Sequence, residues 1–119
     1  MKKDLTIFLL HIFESIEKIE KYTAGITKEN FKWDEKTQDA VIKRFEIMGE
    51  ATKNIPTEFK KKHPQINWKK LADTRNFFIH VYYGIDSHRL WKTIKEENSI
   101  LKDKISKILE IESRNKKLI

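Results

Sequence analysis

Glycine and proline punctuate this chain at only five places, Gly25, Gly49, Pro56, Pro64 and Gly84, and long uninterrupted stretches separate them. A sheet protein of this size needs turn residues every 8 to 12 positions or so, which this spacing does not supply. The chain therefore reads as all-α. The first stretch bears this out at the level of pattern: a helix over about residues 3–23 sets Leu5, Phe8, Leu9, Ile12, Ile16 and Ile19 on one stripe. Ile7 and Leu10 fall on the opposite side, which predicts a second apolar contact, either within the chain or with a partner copy.

Gly25 is expected to close this helix in the left-handed conformation, and "ITKENFKW" to form a short connection. Asp34 can cap a second helix to about Asn54, in which Val41, Phe45, Met48, Thr52 and Ile55 recur every three or four residues. Gly49 in its middle costs about 1 kcal/mol relative to alanine, so it predicts close approach of a neighbouring helix. Pro56 stops the run, "TEFKKKH" is at most a short helix closed by Pro64, and Asn67 can cap a third helix from Trp68 to about Tyr82. Gly84 supplies the stop and Asp86 the next cap, before a last stripe of Leu90, Ile94, Leu101, Ile105 and Ile108. Trp33, Trp68 and Trp91 are assigned to the core, and residues 1–119 to a single domain.

Charge narrows the partners. The 25 Lys and Arg against 18 Asp and Glu give +7, enough to attract a polyanion, with RNA, DNA and acidic proteins as alternatives. With no cysteine there is neither a disulfide framework nor a thiolate metal site, which fits a reducing cytoplasm. The opening "MKKDLTIFLLHIF" carries Asp4 and His11 and lacks a small-residue cleavage site, so it reads as helix and not as a signal peptide. No stretch approaches the roughly 20 apolar residues of a membrane span, and no membrane partner is expected. His11, His63 and His88 lie on separate segments without metal-ligand spacing, so no metal site and no cofactor are assigned. The Lys60 to Lys62 run reads as a solvated face.

The chemistry gathers in "RNFFIHVYYGID", residues 75–86. Counting about 100° per residue from Trp68 puts Arg75 near the centre of the stripe formed by Leu71, Ala72, Phe78 and Ile79, where a leucine would be cheapest. A guanidinium there needs an anion. An ion pair with Glu46 or Glu50 would serve structure, and a substrate phosphate would serve function. His80 lies about 140° around the same helix from Arg75, too far to grip one phosphate easily unless the helix loosens or a second copy supplies the missing half. An isologous dimer meets that need. A basic cleft with Phe77 and Tyr82 beside it would suit RNA, with arginine on the phosphate, histidine moving protons and the 2'-hydroxyl as internal nucleophile.

Arg75, Asn76, His80 and Tyr82 together, in "RNFFIHVY", resemble the signature of HEPN domains, specifically the HepT-like RNase toxins of minimal-nucleotidyltransferase toxin-antitoxin pairs. The flanking "TQDAVIKRFEIMGEATKNIP", "INWKKLADT" and "YGIDSHRLWKTI" extend the likeness over nearly the whole chain, although "ADT" stands where a Gly-Met-type pair is common. A chance Arg-x4-His is expected about 0.13 times in such a chain, and adding the tyrosine lowers this to roughly 0.003, so the triplet discriminates where the pair does not. The resemblance implies a four- to five-helix homodimeric bundle with both motifs at the interface. It further implies a metal-independent endoribonuclease, toxic to its host, of a type VII-like system. A cognate nucleotidyltransferase antitoxin is expected to attach AMP to the motif tyrosine, Tyr82 by spacing, with Asn76 orienting a neighbour or capping the dimer contact. An alternative is a catalytically inactive HEPN module that binds nucleotide or serves as a nucleotidyltransferase adapter.

Overall fold

The computed structural model describes residues 5–74 and 87–117, and within them the chain is helical without a strand. The all-α class holds. The elements are α1 (Thr6–Thr23), α2 (Lys28–Trp33), α3 (Glu35–Lys53), α4 (Thr57–Lys62), α5 (Trp68–Ala72) and α6 (Ser87–Lys92), followed by a π-helical turn (Thr93–Glu97) and α7 (Asn98–Lys117). α1 packs along α3 and against α7, α3 supports α5, and α2 supports α6.

Apolar stripes explain this arrangement. Leu9, Ile12, Ile16 and Ile19 of α1 are fully buried, as are Val41 and Met48 of α3, Leu90 of α6, and Ile105 and Ile108 of α7; Phe31 of α2 completes the cluster. Leu5, Phe8 and Leu101 pack at its margin. Ile7 and Leu10 are 48% and 42% exposed, so the outward face of α1 is left apolar by the fold, as its spacing predicted. A lysine straps the other side: Lys102 of α7 lies 3.2 Å from Glu20 and 5.5 Å from the Phe13 ring of α1.

The caps expected at Asp34, Asn67 and Gly25 form. Asp34 accepts the Thr37 N–H at 3.0 Å and its hydroxyl at 2.6 Å, and these two donors hold the Asp34 carboxyl below the usual carboxylate range. Asn67 accepts the Lys70 N–H at 3.0 Å, and Gly25 closes α1 at φ +74°.

Three features depart from expectation. Residues 28–33 form a helix and not a connection, because Thr27 caps it by accepting the Asn30 N–H at 3.1 Å. Gln38 then donates to the Phe31 and Lys32 carbonyls at 2.7 and 3.0 Å, satisfying acceptors that a helix end leaves open. Trp33 is 74% exposed, a correction to its assignment to the core, since Phe31 takes the inward position of this short helix. Finally, the last helix widens into a π-turn over Thr93–Glu97.

Gly49 is buried where α5 crosses α3: a Cβ built there falls 3.1 Å from the Ala72 carbonyl oxygen and 3.6 Å from that of Leu71. Those are backbone atoms, so relief requires α5 itself to move. A Gly49→Val protein, with a β-branched side chain at this crossing, is expected to lose about 2 kcal/mol of stability in denaturant titration. Stability equal to that of the native chain would mean that α5 yields freely.

Candidate functional site

The residues expected to act, Arg75, Asn76, His80 and Tyr82, lie outside the described residues, together with the Gly84 stop and the Asp86 cap. What surrounds them in the chain is described, and both flanks are held by specific contacts.

On the N-terminal flank, α5 is tied down by its first residue. The Trp68 indole N–H donates to the carbonyls of His63 and Lys60 at 2.9 and 3.1 Å, so one side chain seals the end of α4 and begins α5. His63 is buried, stacks against Phe59 at 4.7 Å, and its Nε2 meets a Glu112 carboxylate oxygen at 3.3 Å, which ties α4 to α7. α5 closes early. At Asp73 the backbone stands at φ −86°, ψ 0°, and the Thr74 hydroxyl donates to the Leu71 and Lys70 carbonyls at 2.8 and 3.1 Å. Such back-bonding bends helices: the run expected from Trp68 to about Tyr82 is interrupted at Asp73, Thr74 is again helical, and the remainder of that run lies outside the described residues.

On the C-terminal flank, α6 buries Leu90 completely and sets Trp91 against Phe31 of α2, with ring centroids 5.0 Å apart. Lys95 lies over the same indole, 4.7 Å from the Trp91 centroid. Lys70 of α5 reaches Glu97 of the π-turn at 3.3 Å, an exposed pair worth little energetically but spanning the two flanks.

Beside this frame is a cleft of about 450 Å³ between α2 and α6, lined by Lys28, Glu29, Lys32, Ser87 and His88. Residue spacing hides this cleft, because residues 28–33 look like a connection; Thr27 as a cap before Glu29 and Phe31 is the signal of the helix that forms it. Glu46 pairs with Lys43 at 3.8 Å, and Glu50 is exposed. Of the Lys60 to Lys62 run, Lys61 and Lys62 are exposed, Lys62 lying 3.8 Å from Glu112, while Lys60 is half-buried, so the solvated face comprises two of the three. Among the described residues no group of three His, Asp or Glu side chains is placed to hold a metal ion, and no helix is long and apolar enough to cross a membrane.

The described helices hold both flanks of the segment that carries Arg75, His80, Tyr82 and Tyr83. The chain belongs to the ribonuclease HepT-like family, whose model matches residues 12–108 and so spans residues 75–86. It is 48% identical over 108 residues to a Thermococcus cleftensis protein named "Probable ribonuclease HepT", covering 91% of this chain and 98% of that one. It is also 46% identical over 116 residues to a Methanocaldococcus jannaschii protein named "Gamma-glutamylcyclotransferase and putative RNase". That match covers 98% of this chain, which spans about half (52%) of the length of that relative. No solved structure matches this chain significantly.

Proposed function

We propose that this protein is a metal-independent endoribonuclease, the toxin of a toxin-antitoxin pair, acting as a homodimer in the cytoplasm. The observation that carries the proposal is the Arg75-Asn76-x3-His80-x-Tyr82 constellation in a chain of the ribonuclease HepT-like family. Ribonuclease names among its relatives support the substrate class. The exposed apolar face at Ile7 and Leu10 supports a surface for a second copy.

In this reading His80 of either copy takes the proton of a ribose 2'-hydroxyl. The 2'-oxygen attacks the adjacent phosphorus, the bond from phosphorus to the 5'-oxygen breaks, and the leaving oxygen receives a proton from the other copy's His80 in its imidazolium form. Arg75 holds the phosphate as negative charge builds on its free oxygens, and Asn76 steadies the pair. The products are a 2',3'-cyclic phosphate and a 5'-hydroxyl.

Tyr82 is the regulatory position. A partner nucleotidyltransferase would join the Tyr82 hydroxyl oxygen to the α-phosphorus of ATP with loss of pyrophosphate, placing a bulky anion in a cleft that must accept RNA phosphate. The purified chain, incubated with single-stranded RNA in chelator, is expected to yield fragments ending in 2',3'-cyclic phosphate. RNA left intact under all conditions would favour the alternative, an inactive nucleotide-binding or adapter partner. Incubation with the nucleotidyltransferase and ATP is expected to add mass in AMP steps to the native chain and none to Tyr82→Phe. An equal gain by Tyr82→Phe would move the modification elsewhere.

A further inference from the structure

The three tryptophans are treated differently by the fold. Trp68 is 8% exposed and Trp91 packs on Phe31, whereas the Trp33 indole is 74% exposed at the end of α2. Leaving an indole in water forfeits one of the larger hydrophobic gains available to a side chain. Its ring is nonetheless held: the Trp33 Nε1–H donates to a Glu29 carboxylate oxygen at 3.4 Å, and the Lys32 ammonium lies 5.2 Å from its centroid. Lys32 also lines the cleft that it shares with Lys28, Ser87 and His88, and Ser87 directly follows residues 75–86 in the chain. Through Lys32 and Glu29, which both line the cleft, the exposed indole thus adjoins a cleft that also holds Lys28 and His88, on a protein of net charge +7 and next in sequence to the segment proposed to cut RNA.

We propose that Trp33, Lys28, Lys32 and His88 form a subsite for single-stranded RNA, in which an unpaired base stacks on the indole and neighbouring phosphates lie against the two lysines. The inference rests on the ribonuclease reading for its substrate and extends it to nucleotides flanking the scissile linkage. Stacking suits any base, because every base offers a π-face, while the ammonium groups track the backbone. Glu29 is the one carboxylate in the cleft, and a polyanion approaches it at a cost. Its role here is to fix the indole, which a neutral amide oxygen can also do.

The test measures binding apart from cleavage, with a short labelled single strand whose riboses are 2'-O-methylated and therefore lack the nucleophile. Fluorescence anisotropy is expected to show affinity about tenfold weaker for Trp33→Ala, most of it restored by Trp33→Phe, from the usual strength of base stacking. Lys28→Gln and Lys32→Gln are each expected to flatten the salt dependence of log K by about 0.7 for a lost phosphate contact. Glu29→Gln is expected to tighten binding. Helical circular dichroism on each variant confirms folding. Native affinity in Trp33→Ala overturns the subsite. So does a Trp33→Ala protein that binds normally but dissociates from dimer to monomer in light scattering, which would assign the ring to an interface between copies.

Cleavage of unmodified RNA, followed in parallel, separates the two claims. Cutting that is indifferent to Trp33, with binding equally indifferent, removes the subsite and leaves the ribonuclease reading. Trp33-dependent binding by a native chain that cuts nothing supports the subsite and removes that reading.

Discussion

His80→Ala is expected to lower RNA cleavage by about 10²- to 10⁴-fold, the range over which a positioned proton-transfer group acts, while leaving the fold intact. The size follows from the chemistry proposed for the motif. A 2'-hydroxyl is a poor nucleophile while protonated and a 5'-alkoxide a poor leaving group, so a symmetric dimer that loses both imidazoles loses base and acid together. The measurement is the rate of appearance of 2',3'-cyclic phosphate ends under single-turnover conditions, accompanied by thermal unfolding of the same preparation. Expression of the native chain is expected to arrest growth, and the substitution to relieve the arrest. Undiminished cleavage by the alanine protein, with chelator present, would remove His80 from the mechanism.

Phe45→Ala should reduce function by a different route. Phe45 is 2% exposed, on the buried stripe of α3 with Val41, Met48 and Thr52, one turn before the Gly49 crossing that seats α5. Deleting a buried phenyl ring costs about 3 to 5 kcal/mol in lost transfer energy and residual cavity. For a domain of this size that corresponds to a fall in melting temperature of roughly 15 °C, against a total stability of about 5 to 15 kcal/mol. Activity should then fall in step with the folded fraction and return under stabilising conditions, unlike the loss caused by His80→Ala. A melting temperature within a few degrees of native would mean that neighbouring side chains fill the space.

Much of this molecule is local, and locality explains what could be read from residue order. The α1 stripe, the Asp34 and Asn67 caps and the left-handed Gly25 depend on side chains within a few positions of one another, so spacing alone predicts them. Gly49 was legible for a related reason: an expensive glycine inside a good helix implies a neighbour, though only the fold names the Ala72 carbonyl as that neighbour. The features that escaped depend on partners distant in sequence or on competing hydrogen bonds. α2 exists because Thr27 caps it and Gln38 closes it from the next helix. α5 ends at Ala72, with the Thr74 hydroxyl taking up the carbonyls of Lys70 and Leu71.

By itself the sequence determined the helical class, the Asp34, Asn67 and Gly25 caps and the chemical character of the candidate site, because periodicity, capping and the identity of an Arg-His-Tyr triplet are properties of residue order. Only the tertiary structure decided which aromatic rings are covered. Trp33, Trp68 and Trp91 look alike in a one-dimensional pattern, yet Trp68 is sealed beneath α4, Trp91 lies against Phe31 and Trp33 stands in solvent. Burial is a relation between two surfaces, and the second surface is supplied by whichever distant element the packing brings alongside.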